Sequence, residues 1–118
     1  MTTHECIDRF DRLLPNAFCE KTKLSWLSEV DGKISRELKE YSYPVVYVYP
    51  RDLPKNLLAP APYDAMYHAY LSAMVYLHNG EYTAYNTLAA LFNRYYTDYT
   101  LYLKKTTPKK AKRVSVVI

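Results

Sequence analysis

The sequence predicts a mainly α fold: a small helical bundle built on a long antiparallel helical hairpin, with a short extended β arm at about 44–49 and a strand-prone C-terminal tail. Three observations predict it. Apolar residues recur at the helical period through four segments. Two glycines in 118 residues argue against a turn-dense all-β fold and against a Gly-rich phosphate loop. An apolar content of 49% supplies one core for a chain of single-domain length.

The first helix is expected over residues 3–14. Cys6, Ile7, Phe10, Leu13 and Leu14 make its stripe, Thr3 can cap its start and Pro15 stops it. A second helix follows from about Lys21 to Tyr41. Leu24, Leu27, Ile34 and Leu38 share its stripe, and Trp26 and Val30 make a second apolar edge. Asp31 falls in line between Leu27 and Ile34, so it lies at a wet end or is held by a hydrogen-bond donor. Gly32 costs such a helix about 1 kcal/mol relative to Ala, and its expected use is the close approach of another backbone.

Tyr43-Pro-Val-Val-Tyr-Val-Tyr-Pro50 is β-branched, aromatic and bounded by proline. It reads as an edge strand or extended arm. Residues 51–62 add Pro54, Pro60 and Pro62 and read as a structured loop, with Leu57 and Leu58 pinned to the core. A third helix is expected from Tyr63 to His78, with Pro62 near its first turn. Asn79-Gly80 ends it, Gly80 taking a left-handed conformation. A fourth helix runs from Glu81 to about Leu103, with Tyr85, Leu88, Phe92, Tyr95, Tyr96, Tyr99 and Tyr102 on its stripe. The two-residue break makes these last helices a hairpin, with Leu88 and Phe92 buried. The domain organisation expected is a helical domain at 1–103 and a basic linker with a terminal strand at 104–118.

Charge separates the same two regions. Residues 104–113 carry Lys104, Lys105, Lys109, Lys110, Lys112 and Arg113 and no acid, which leaves a body of about −2 within a chain of net charge +4. The tail can be a solvating segment. It can be a sequence-blind phosphate contact through Lys109, Lys110, Lys112 and Arg113, since it lacks aromatic interleaving. It can also be a tether that delivers Val114-Ser-Val-Val-Ile118 to a neighbour. That terminus alternates Val114, Val116 and Ile118 on one face and suits strand addition, with Val46, Tyr47 and Val48 as the in-chain edge it could meet.

Fourteen tyrosines, ten of them between Tyr63 and Tyr102, suit half-buried bundle faces or subunit contacts. Catalytic signatures do not emerge. His68 and His78 are ten positions apart on one helix, about 15 Å from each other, and cannot share a metal. Cys6 and Cys19 match no zinc or redox spacing and read as two reduced thiols. Glu37 and Glu40 read as a solvated charge run. No HExxH, Walker, GxSxG or dinucleotide pattern occurs. The expectation is a non-enzyme without metal or cofactor. No apolar run approaches the roughly 20 residues of a membrane helix, and with no signal peptide the chain is expected to be neither secreted nor membrane-spanning.

Leu57-Leu-Ala-Pro-Ala-Pro-Tyr-Asp-Ala-Met-Tyr67, Asn79-Gly-Glu-Tyr-Thr-Ala-Tyr-Asn86 and Phe92-Asn-Arg-Tyr95, in this order, resemble segments of small virion proteins encoded in the head-gene region of tailed phages and prophages of Gram-positive bacteria. Trp26-Leu-Ser-Glu-Val-Asp-Gly-Lys-Ile34 is similar to their N-terminal helix, so the resemblance covers roughly residues 24–103. It implies a head–tail connector or adaptor: a homo-oligomeric ring of about twelve copies beneath the portal protein, in the virion neck, linking capsid to tail proteins around the DNA channel. It carries over no catalytic residue; Pro62, Asn79, Gly80, Tyr85 and Phe92 match as fold determinants. The alternative is a small DNA-binding module using the basic C-terminal tail.

Overall fold

The computed structural model describes residues 1–106. Four helices follow one another: α1 (Thr3–Leu13), α2 (Glu20–Glu37), α3 (Ala65–His78) and α4 (Tyr82–Thr106). α1 packs on α2 and α3, α2 packs on α3, and α4 packs along α3. The fold is a mainly helical bundle, and among the described residues no strand forms.

α1 starts at Thr3 as its apolar pattern suggested, but its cap lies one residue before the one expected. Thr2 is the N-cap: its hydroxyl accepts the Glu5 N–H, and the Glu5 carboxylate accepts the Thr2 N–H. This reciprocal capping box frees Thr3, whose hydroxyl donates into the Asp52 and Leu53 carbonyls. The remaining orphan donors of the first turn meet the 53–55 loop, with Thr3 N on Lys55 O and His4 N on Leu53 O. Cys6, Ile7 and Phe10 carry the apolar stripe into the core. Leu13, expected on that stripe, is exposed.

α2 ends at Glu37 instead of continuing to Tyr41. Lys39 N bonds back to Ile34 O and Tyr41 N to Ser35 O, and Glu40 takes a left-handed φ of 54° between them. The chain therefore reverses here and returns along α2. Leu24, Trp26, Leu27, Val30 and Ile34 are buried as the stripe requires. Lys23 is buried too, its ammonium held 2.5 Å from Asp11 and 3.1 Å from the Asn16 amide oxygen. A Cβ on Gly32 would sit 3.4 Å from the Val45 carbonyl, so the returning backbone does approach it, at ordinary contact distance.

Pro62 precedes a tight turn, not the first turn of α3. Tyr63 N and Asp64 N both reach Pro60 O, and α3 proper begins at Ala65. The Tyr49–Pro50 and Ala61–Pro62 peptide bonds are cis. At the far end Gly80 N bonds to Leu77 O and Glu81 N to Tyr76 O, with Gly80 at φ 77°. This is the Schellman closure that the Asn79-Gly80 break predicts, and it turns the chain into the α3–α4 hairpin. α4 runs past Leu103 to Thr106, taking in Lys104 and Lys105 of the expected linker; cations in a last turn suit the negative helix end.

Phe92 is buried between Tyr70 and Tyr96, at centroid distances of 5.2 and 5.8 Å. Leu88 and Tyr85 are half-buried, because α4 has a bundle neighbour on one side alone among the described residues. α4 touches α2 through side chains: Tyr96 donates to Glu37 at 2.8 Å, and Lys33 lies 5.1 Å over the Tyr96 ring.

Candidate functional site

The segment expected as a β arm is extended but belongs to no sheet. Its inner edge pairs with hydroxyls of a helix instead. Val45 N donates to Ser35 Oγ at 2.9 Å and Tyr47 N to Ser28 Oγ at 2.8 Å. The two serines sit two turns apart on α2, and the arm runs antiparallel to that helix. A strand needs a partner for every other backbone donor on one edge; two serines spaced at 28 and 35 supply it without a second strand. Beyond them Asp52 closes the arm: its carboxylate accepts Val48 N at 2.8 Å and its own N–H reaches Val48 O at 2.9 Å. The neighbouring Arg51 guanidinium holds the Asp52 carboxyl below the usual carboxylate range.

Side chains alternate as on a strand. Tyr47 points in and is buried, and Val45 is half-buried. Val46, 65% exposed, and Val48 point out. Of the nine large hydrophobic side chains exposed among the described residues, five lie here: Tyr41, Tyr43, Val46, Val48 and Tyr49. Tyr43 is 83% exposed. Val46 N–H and C=O have no hydrogen-bond partner among the described residues, nor does the Pro44 carbonyl.

What fixes the arm in depth is Asp31. Its side chain is fully buried and accepts three donors: the Tyr47 hydroxyl, the Tyr67 hydroxyl at 2.6 Å and Leu58 N at 3.1 Å. Tyr67 Oη in turn accepts Ala59 N at 2.8 Å. One carboxylate therefore joins α2, α3, the arm and the 56–59 loop. Burial pushes its pKa up, against the three hydrogen bonds that hold it down. Burial and the adjacent carboxylate also push the Tyr47 and Tyr67 phenols well above their ordinary range, so both remain donors. Of the two alternatives left open for Asp31, the structure selects the donor-held one.

The same chemistry recurs along α2. Tyr70 donates to Glu29 at 2.5 Å and Tyr96 to Glu37 at 2.8 Å. Tyr67, Tyr70 and Tyr96 thus spend their hydroxyls on acids within the chain, and Tyr63, Tyr99 and Tyr102 cluster at centroid distances of 4.9–6.3 Å. The tyrosines left for outside contact are concentrated in the arm and at Tyr82 and Tyr102.

Of the residues singled out from sequence, Val46, Tyr47 and Val48 lie together on the arm. Tyr47 is an inward anchor and not part of an outward edge. Pro62, Asn79, Gly80, Tyr85 and Phe92 lie at the α3 approach, the hairpin turn and the α3–α4 interface. Lys109, Lys110, Lys112, Arg113, Val114, Val116 and Ile118 lie outside the described residues, as does the strand-prone tail. Sequence reasoning missed Ser28, Ser35 and Asp52. The heptad spacing of Ser28 and Ser35 on one helix face was the available signal. Cys6 is a buried thiol pushed up to about 12 by burial, whereas Cys19 is exposed and held lower by Thr22. Among the described residues no three His, Cys, Asp or Glu side chains gather as a metal site would require, and no helix is long and apolar enough to cross a membrane. Neither protein-family models, nor curated proteins, nor solved structures match the chain.

Proposed function

We propose that this chain is a structural assembly protein whose docking element is the arm at 41–49, and that its role is that of a phage head–tail connector. In this reading copies close into a ring of about twelve beneath the portal, around the DNA channel of the virion neck, with the basic tail contacting DNA phosphates. The observation that carries the assembly role is the arm itself. Five large apolar side chains stand in solvent on one segment, while its inner-edge N–H groups are held by Ser28 and Ser35 and Val48 by Asp52. A rigidly held, outwardly apolar segment loses little conformational entropy on binding, which is the condition for a protein-docking surface. The resemblance over residues 24–103 supplies the connector role.

The test is a triple variant, Tyr43→Ser, Val46→Ser, Val48→Ser, compared with the parent by circular dichroism, native mass spectrometry and binding to a cognate portal ring. The expected result is unchanged helicity with loss of self-association and of portal binding. A parent chain that binds no portal ring, stays monomeric at high concentration and binds free DNA with steep salt dependence would overturn the proposal in favour of the DNA-binding module.

A further inference from the structure

Resting on the assembly reading, we propose that the outer edge of the arm receives the C-terminal segment Val114–Ile118 of a second copy as an added antiparallel strand, centred on Val46 and Val116. The inner edge of the arm is closed by Ser28 and Ser35, and Val48 is closed by Asp52. Between them, among the described residues, Val46 keeps both backbone groups open and Pro44 keeps its carbonyl open. An antiparallel partner exchanges both bonds with one residue, then skips one. Val116 opposite Val46 uses that pattern in full, and Ile118 N–H then falls opposite the Pro44 carbonyl. Pro44 has no N–H to offer, so the ladder ends there. The Asp52 clamp on Val48 ends it on the other side. The register also matches faces. Val46 and Val48 point outward, and in this pairing they sit beside Val116 and Val114 on one face of the pair.

The donor is assigned to a second copy because the chain's own terminus would have to stretch to its limit. α3 runs antiparallel to α2, with His78 against Trp26 and Tyr70 on Glu29. α4 runs antiparallel to α3, with Phe92 beside Tyr70 and Tyr102 beside Tyr63. α4 therefore runs in the same sense as α2 and leaves past its C-terminal end, Tyr96 being level with Glu37. From Tyr96 to Thr106 is about 15 Å of helix, and from Glu37 back to Ser28, level with Tyr47, is about 14 Å. Val48 lies beyond that point. The eight steps from Thr106 to Val114 span at most about 29 Å fully stretched. With the step from Tyr47 to Val48 added, the antiparallel register within one chain asks for a linker stretched to its full length. A neighbouring copy has no such constraint.

The experiment uses full-length chains in a Cys19→Ser background, which removes the exposed native thiol; Cys6 is buried. One chain carries Val46→Cys and a differently tagged chain carries Val116→Cys. They are mixed under mild oxidation, with and without portal rings. Cα atoms of a hydrogen-bonded antiparallel pair are about 5.5 Å apart, within disulfide range. The expected result is a disulfide-linked heterodimer. Val117→Cys, on the opposite face, should give about tenfold less product. Deleting 114–118 should weaken association by about tenfold or more while sparing helicity. Equal product from Val116→Cys and Val117→Cys, or association without any cross-link, overturns the strand while leaving the assembly reading standing. A Val46→Cys, Val116→Cys double variant that closes an internal disulfide as a monomer overturns it in favour of docking within one chain. Absence of any association, with or without portal rings, removes the assembly reading itself.

Discussion

The Tyr67 hydroxyl donates to Asp31 Oδ1 at 2.6 Å while accepting the Ala59 N–H at 2.8 Å, so one phenol links α3, α2 and the loop between arm and hairpin. Removing it leaves two buried groups short of a partner. Tyr67→Phe should therefore cost about 2–3 kcal/mol, at the upper end for a single hydroxyl. Urea denaturation with an unchanged m-value measures it. A loss below about 0.5 kcal/mol would mean that the carboxylate is satisfied in another way. Asp31→Asn should also destabilise, since all three neighbours donate and the new amide adds a fourth donor.

The Ser28 and Ser35 hydroxyls hold the inner edge of the arm. Ser28→Ala with Ser35→Ala removes the acceptors of Tyr47 N and Val45 N. Each bond contributes about 1 kcal/mol, so amide exchange at residues 45 and 47 should accelerate well before that of the α3–α4 hairpin. Protection at both amides equal to that of the parent would rule out the serine ladder.

The two glycines should respond to alanine with opposite sign. Gly80 sits at φ 77°, and its Cβ would meet no atom within 4 Å, so the cost is purely one of backbone. Gly80→Ala should lose about 1–2 kcal/mol. Gly32 has helical geometry and its Cβ would make ordinary contacts at 3.4 Å. Gly32→Ala should gain up to about 1 kcal/mol in helix propensity. Thermal melts of the two variants check both signs at once, and a destabilised Gly32→Ala would show that Val45 cannot yield.

His68 lies against Phe10, its Nε2 is buried without a hydrogen-bond partner among the described residues, and burial lowers its pKa below the ordinary 6.5. Its folded pKa being depressed, the unfolded chain takes up the proton first as pH falls. The stability His68 contributes is complete above about 6.5 and is lost as pH falls from there through its lower folded pKa. Asp31, with a raised pKa, contributes with the opposite slope, so the comparison must be between variants. Denaturation at pH 7.5 and 5.5 should show a smaller loss on acidification for His68→Phe than for the parent. Identical losses would mean that the ring protonates freely in the folded chain.

The helices and the hairpin turn were legible in the sequence because they rest on local physics. The 3.6-residue stripe, the Asn79-Gly80 stop and the Tyr85–Tyr102 face need no knowledge of distant residues. The boundaries at Thr2 and Glu37 were less legible, since a capping box and a left-handed Glu40 depend on side-chain reach that periodicity does not encode. Asp31 was visible as an anomaly on an apolar stripe. Its three donors come from residues 16, 27 and 36 positions away, and so were not.

The sequence by itself determined a helical chain with one β-prone segment flanked by proline, because backbone propensity and hydrophobic period act over a few residues. The tertiary structure alone decided what that segment pairs with. Lacking a second strand among the described residues, it laid its inner edge on the hydroxyls of Ser28 and Ser35, sank Tyr47 onto Asp31 and left Val46 facing out. A backbone donor must find an acceptor, but which one it finds depends on what folding brings beside it.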